Sequence, residues 1–209
     1  FSRAELELIA EVCREHDAVV FTDEIYEHIV YAGEHVPMAT LPGMAGRTVA
    51  VNSLSKTYSV TGWRVGWVIA PPHLTSGIRK VHDFLTVGAA APLQAAGAAA
   101  LGLPDEYYGQ LAEEYRVRRD LLLTGLAGTP LRSFIPEGAY YVMVDIGGVT
   151  DEDDVAFARR LTAEPGVATV PGSSFYSRPE LGRTKVRLAF PKRRETLEAA
   201  VARLSRIGA

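Results

Sequence analysis

Apolar residues recur at helical spacing from Ser2 to His16, and a short apolar run, Ala18 to Glu24 (AVVFTDE), follows. Ser2 is placed as a helix N-cap, with Glu5 three residues on to complete a capping box. Two more apolar runs follow, Thr48–Ser53 (TVAVNS) and Gly66–Pro72 (GWVIAPP), the second ended by Pro71-Pro72. Their near-continuous apolar content predicts strands buried on both faces, as in a parallel α/β sheet. Three helical patterns come next: His73–Leu85, the Ala-rich Pro92–Leu101, and Tyr107–Leu126 with its polar and apolar faces. From Leu131 onward the pattern turns α+β. It predicts a strand at Gly138–Ile146, a helix opened by acids at Glu152–Ala163, short strands VATVP and KVRLAF, and a closing helix Glu195–Ile207. The expected organisation is α/β: residues 1–75 as part of a large sheet domain, 76–126 as linking helices, and 127–209 as a small domain.

Composition narrows the function classes. The chain has 209 residues, 47% hydrophobic and 22% charged, which is ordinary for a globular protein. Lys plus Arg is 22 against 25 for Asp plus Glu, so nothing calls for a polyanionic partner and nucleic acid is not expected. The single cysteine, Cys13, excludes an intrachain disulfide and a cysteine-rich metal site, and fits a reducing, cytoplasmic setting. The most apolar region, Val87–Leu103, is mostly Ala and Gly and is interrupted by Gln94, so no membrane span is expected. The chain lacks an initiator Met and starts at a helix edge, feeding a strand that needs others to pair with. It therefore reads as cut from something longer.

Chemistry concentrates in NSLSKTYSVTGWRVGW, Asn52 to Trp67. Lys56 lies just beyond an apolar strand, where partial desolvation would lower its pKa and suit it to attack an aldehyde. Ser53 and Ser55 supply hydroxyl donors, and Arg64 supplies a planar fork suited to a phosphate dianion. The plainer alternative is a surface lysine in a serine-rich turn, with Arg64 paired to a carboxylate. Asp23 sits where a strand runs out, and ligands bind at that edge of parallel sheets; a helix N-cap is its other reading. Tyr26, three residues on, could reach the same ligand or could be a half-buried core aromatic. Arg187, inside the apolar KVRLAFP, needs a partner, either a substrate carboxylate or a structural ion pair. His28, His35 and His82 are scattered without metal-ligand spacing, and no metal is expected.

Taken together, FTDEIYEHIVY, SLSKTYSVTGWRVGW, PEGAYYVMVDI, VPGSSFY and KVRLAFP resemble, in order, the motifs of the fold-type I class I/II aminotransferases. The stretch YEHIVYAGEHVPMATLPGM and SFYSRP are similar to the branch with kynurenine, glutamine and methionine aminotransferases. The resemblance implies pyridoxal 5'-phosphate held by Lys56 as a Schiff base, with Lys56 then moving the proton at the substrate Cα. It implies Asp23 on the pyridine nitrogen, Tyr26 on the ring's phenolic oxygen, and Ser53, Ser55 and Arg64 on the phosphate. Arg187 would grip the α-carboxylate of an amino acid or 2-oxo acid. Ser55 occupies a position where the family often has alanine.

The resemblance covers the C-terminal half of such an enzyme. It implies a homodimer whose N-terminal half is needed in cis or as another chain, and it leaves this chain alone inactive. Val87-Gly88 stands where kynurenine-type relatives carry bulkier side chains. Two other activities share these residues: β-elimination from cysteine conjugates, and an aminotransferase-like effector domain of a transcription regulator.

Overall fold

The computed structural model describes residues 1–207, which group into two compact units. The first holds Phe1–His28 and Gly33–Gly109; the second holds Ile29–Ala32 and the chain from Gln110 onward.

The first unit opens with α1 (Arg3–Glu15), and its start is the capping box legible in the sequence. Ser2 N–H donates to Glu5 Oε2 (2.6 Å) and Glu5 N–H donates to Ser2 Oγ (3.3 Å). The Ser2 amide holds the Glu5 carboxyl below its ordinary range. One face of α1, with Leu6, Ile9, Ala10 and Cys13, packs against Val36, Met38, Leu41 and Met44.

Strands β1 (Val20–Asp23), β2 (Thr48–Ser53) and β3 (Gly66–Ile69) form one sheet in that order. β1 and β2 are parallel, as expected of an α/β sheet, but β3 runs antiparallel to β2. The link between β2 and β3 explains this. It holds only the four-residue α2 (Leu54–Thr57) and a one-turn 3-10 helix, Thr61–Trp63, and no crossover helix that would return the chain for parallel pairing. Within this chain, Phe21 (68% exposed), Val68 and Ile69 on the two flanking strands are exposed.

Helices α3 (Pro72–Leu85) and α4 (Ala91–Leu101) follow. The alanine and glycine of α4 have a local purpose: a Cβ on Gly97 would lie 2.7 Å from Leu54 Cδ1, so the bare helix surface seats against the buried first residue of α2. α5 (Asp105–Leu126) begins in the first unit and continues in the second.

The second unit is an antiparallel sheet of β4 (Arg132–Phe134), β5 (Tyr141–Asp145), β6 (Val170–Pro171) and β7 (Lys185–Ala189), in the order β4-β5-β7-β6. Here period-two alternation holds: Val142, Val144, Val186 and Leu188 are buried, and their neighbours are half-buried or exposed. α6 (Asp154–Ala163) buries Phe157, Ala158 and Leu161, and α7 (Arg194–Leu204) buries Leu197 and Leu204. Three-residue β4 is too short to show a pattern in the sequence, and only its pairing with β5 reveals it. Among the described residues, no helix is long and apolar enough to cross a membrane.

Candidate active site

Topology brings the polar residues of the first unit to one edge of its sheet. β1 and β2 end where β3 begins, so Asp23, Ser53 and the segment before Gly66 share that edge. Gly66 is needed for the approach, because a Cβ there would lie 2.7 Å from the Asn52 carbonyl oxygen. Lys56 follows directly in α2 and is half-buried.

A four-residue helix has little intrinsic stability, so its geometry must be imposed from outside. Ser53 caps its start, Oγ accepting the Ser55 N–H at 3.1 Å, which leaves the hydroxyl proton for another acceptor. At its end the carbonyls are met one by one. Leu54 O accepts Tyr58 N–H (3.1 Å), Ser55 O accepts the Thr61 hydroxyl (3.0 Å), Lys56 O accepts Ser59 N–H (3.4 Å), and Thr57 O accepts the Tyr107 hydroxyl (2.7 Å). Tyr107 stacks on Tyr58, whose hydroxyl shares a 2.8 Å hydrogen bond with that of Tyr108. Burial pushes the Tyr58 phenol well above its ordinary value. Sequence reasoning missed Tyr107 and Tyr108. An adjacent tyrosine pair at a helix start, fifty residues from its contact, gives no local signal.

Ser55 is buried. Arg64, exposed and in the left-handed conformation (φ 55°), donates from Nη1 to Thr61 O at 2.9 Å. It makes no ion pair with a carboxylate among the described residues, so the plainer reading of this arginine is not what the fold presents. Asp23 Oδ1 accepts the Ile25 N–H at 3.3 Å at the start of a turn, and no helix follows it, so it is not the helix N-cap of its alternative reading; Tyr26 lies half-buried in that turn.

Behind this edge lies a polar network that the sequence did not disclose. Glu24 accepts from Thr22 Oγ1 (2.8 Å), shares a 3.0 Å contact with His35 Nε2 and receives Met38 N–H. The contact with His35 holds its carboxyl below the usual range. Asn52 Nδ2 donates to Glu27 Oε1 (2.6 Å) and Glu24 O, while Asn52 Oδ1 receives Ser53 N–H (2.8 Å). Glu24, Glu27 and His35 place ligand atoms within 4.8 Å of one another despite their sequence spacing. Their hydrogen bonds to one another and to Asn52 make this an internal network beneath the end of β2.

Arg187 lies in the second unit, on β7. Its β7 neighbours Val186 and Leu188 point to the core, and Arg187 occupies the opposite face, level with Met143 of β5 and Val170 of β6. Its guanidinium carbon lies 4.4 Å from the Phe175 ring centre and 4.9 Å from that of Tyr141. No carboxylate pairs with it among the described residues, and its Nε is buried without a hydrogen-bond partner. A ligand carboxylate is the group that would complete it.

A mixed α/β unit with a lysine after a strand end, joined to an α+β unit carrying an unpaired arginine, has the architecture of the fold-type I pyridoxal-phosphate-dependent aminotransferases. The chain belongs to the aminotransferase class I and II family, whose model matches residues 1–204. It is 35% identical to kynurenine–oxoglutarate transaminase 1 of Mus musculus over 225 residues, covering 98% of this chain and 53% of that protein. It is 40% identical to methionine aminotransferase of Escherichia coli (strain K12), covering 92% of this chain and 50% of that one. Among solved structures it matches N-succinyldiaminopimelate aminotransferase from Mycobacterium tuberculosis with a TM-score of 0.93 at 36% identity, covering 98% of this chain and 53% of that one. The chain spans about half the length of the relatives it matches.

Proposed function

We propose that this chain carries the lysine, the phosphate-holding residues and the carboxylate-gripping arginine of an enzyme that exchanges an amino group between an α-amino acid and a 2-oxo acid. The observation that carries this reading is the gathering of Asp23, Ser53, Lys56 and Arg64 at one sheet edge with Arg64 unpaired, a donor set that fits pyridoxal phosphate. When bound, that cofactor supplies an aldehyde for amines and a ring that takes up an electron pair. Lys56 would hold the cofactor through its aldehyde and would move the proton at the substrate Cα. Asp23 keeps the ring nitrogen protonated, and Tyr26 donates to the ring's phenolic oxygen. Ser53, Ser55 and Arg64 bind the phosphate, and Arg187 orients substrate through its α-carboxylate. The similarity to transaminases of kynurenine and of methionine supports amino acid and 2-oxo acid substrates.

Exposed Phe84, Leu85 and Val87 at the end of α3 support a homodimer, and the single buried Cys13 accords with a cytoplasmic location. Borohydride reduction of the cofactor-loaded protein followed by peptide mass spectrometry tests the assignment. A pyridoxyl adduct is expected on Lys56, and an adduct confined to another lysine overturns it.

A further inference from the structure

We infer that Asp154, a buried carboxylate outside the site described above, is a positioning residue for the carboxylate grip of Arg187. The inference rests on Arg187 having that role.

Asp154 is 2% exposed and has no cationic partner among the described residues. Burying such a group is costly, and capping does not account for it: the N-cap of α6 is Asp153, whose side chain already accepts the Ala156 N–H. Asp154 turns inward. Its Oδ2 accepts the Ser173 N–H at 2.6 Å, while its own N–H donates to Arg183 O. Ser173 belongs to the one-turn 3-10 helix Gly172–Phe175, and Phe175 at its end is the ring lying over the Arg187 guanidinium.

The two walls around Arg187 are therefore held in unlike ways. Tyr141 stands on β5, fixed by sheet pairing. Phe175 is 45% exposed and hangs from a single turn. That turn is fastened at its base, where Gly172 and Gly182 meet so closely that a Cβ on Gly172 would lie 2.6 Å from Gly182 O. Its next residue is fastened by Asp154. A charge-assisted bond to a backbone N–H is directional, so it fixes the rotation of the turn and with it the height of the Phe175 ring over Arg187. With the Phe175 and Tyr141 ring centres 4.4 Å and 4.9 Å from its central carbon, the guanidinium is confined in how it can turn toward an incoming carboxylate.

The test uses the cofactor-loaded holoenzyme with an amino acid and a 2-oxo acid. Asp154→Ala is expected to raise the amino-acid KM about tenfold, the scale of a lost charge-assisted bond, with kcat within about twofold of the parent. Asp154→Asn, which keeps an acceptor oxygen, restores most of the loss. An amine lacking the α-carboxylate shows the same KM with parent and Asp154→Ala. A purely structural role would instead lower kcat and folded yield alike, and an Asp154→Ala KM equal to the parent's overturns the inference. Should Asp154→Ala fold poorly, Phe175→Leu probes the other end of the same chain of contacts and leaves the buried carboxylate intact. It is expected to raise KM about threefold, on the scale of a cation–π contact, and an unchanged KM there also overturns the inference. Arg187→Ala separates the two levels. If it leaves KM unmoved, the carboxylate role of Arg187 and the inference fall together; if it raises KM while Asp154→Ala does not, only the inference falls.

Discussion

The lysine end of the first unit and the arginine face of the second are both polar, and their surroundings are opposite. Around Lys56 the protein satisfies itself: every carbonyl of α2 has a donor, and Glu24, Glu27 and Asn52 are engaged beneath it. Around Arg187 the protein leaves a donor open, with Nε buried, unbonded and flanked by two aromatic rings. The difference matches what the proposed roles would require. A group that stays bound through turnover is served by a rigid frame that does not need the ligand to complete it. A group that enters and leaves each cycle is better received by an incomplete one. An unsatisfied buried donor costs about 1–3 kcal/mol, which an incoming carboxylate recovers.

Lys56→Ala should break the comparison on the lysine side alone. Turnover is expected to fall by about 10²–10⁴-fold, the usual worth of a positioned acid–base group, while a carboxylate ligand still protects the Arg187 face from chemical modification. Loss of that protection would show that the two regions are not separate in role. Arg187→Ala should do the reverse. Removing one partner of a desolvated charge pair costs about 2–5 kcal/mol, expected here as a raised KM for α-carboxylates with cofactor retention unchanged. A variant that instead sheds cofactor would assign Arg187 to the wrong ligand.

The two regions were also unequally legible. Their catalytic candidates stood out in the sequence because each lies beside a strong element: Lys56 after TVAVNS, Asp23 after AVVF, Arg187 within KVRLAF. The boundaries of α1, β2 and α3 followed from a capping box, an apolar run and a proline stop. The direction of β3 did not follow, since apolar content is blind to pairing sense. Nor did the supports. Tyr107 reaches Thr57 across fifty residues, His35 reaches Glu24 across eleven through a turn, and Asp154 reaches Ser173 across nineteen. Each is a single side chain meeting a partner that only tertiary structure supplies, so no periodicity announces it.

Tyr107→Phe sharpens the claim that the frame around Lys56 is imposed. The ring and its stack on Tyr58 remain, and the donor to Thr57 O is lost. About 1 kcal/mol is expected, seen as a several-fold faster dissociation of cofactor followed by absorbance, with the KM for amino acid unmoved. A KM change without faster dissociation would place Tyr107 with the substrate and not with the lysine helix.

The smallest effect expected is one of pH, and it falls on one region only. All five histidines belong to the first unit. His28 lies against Tyr108, with ring centres 4.2 Å apart, and burial lowers its pKa below 6.5, against an opposing pull from Glu27. A group whose folded pKa is depressed leaves stability intact above its unfolded value and loses it as pH falls through the folded one. Acidification from about pH 7 toward 5 should therefore loosen the tyrosine cluster that holds α2, ahead of any loss from Glu24, whose lowered carboxyl titrates further down. Cofactor dissociation should quicken across that interval, and His28→Gln should flatten the rise. The Arg187 face, with no histidine in its unit, should show no matching change in its affinity for carboxylate. If affinity for carboxylate follows the same pH curve as cofactor loss, the two regions share a titrating group and the contrast between a self-completed frame and an open one does not hold.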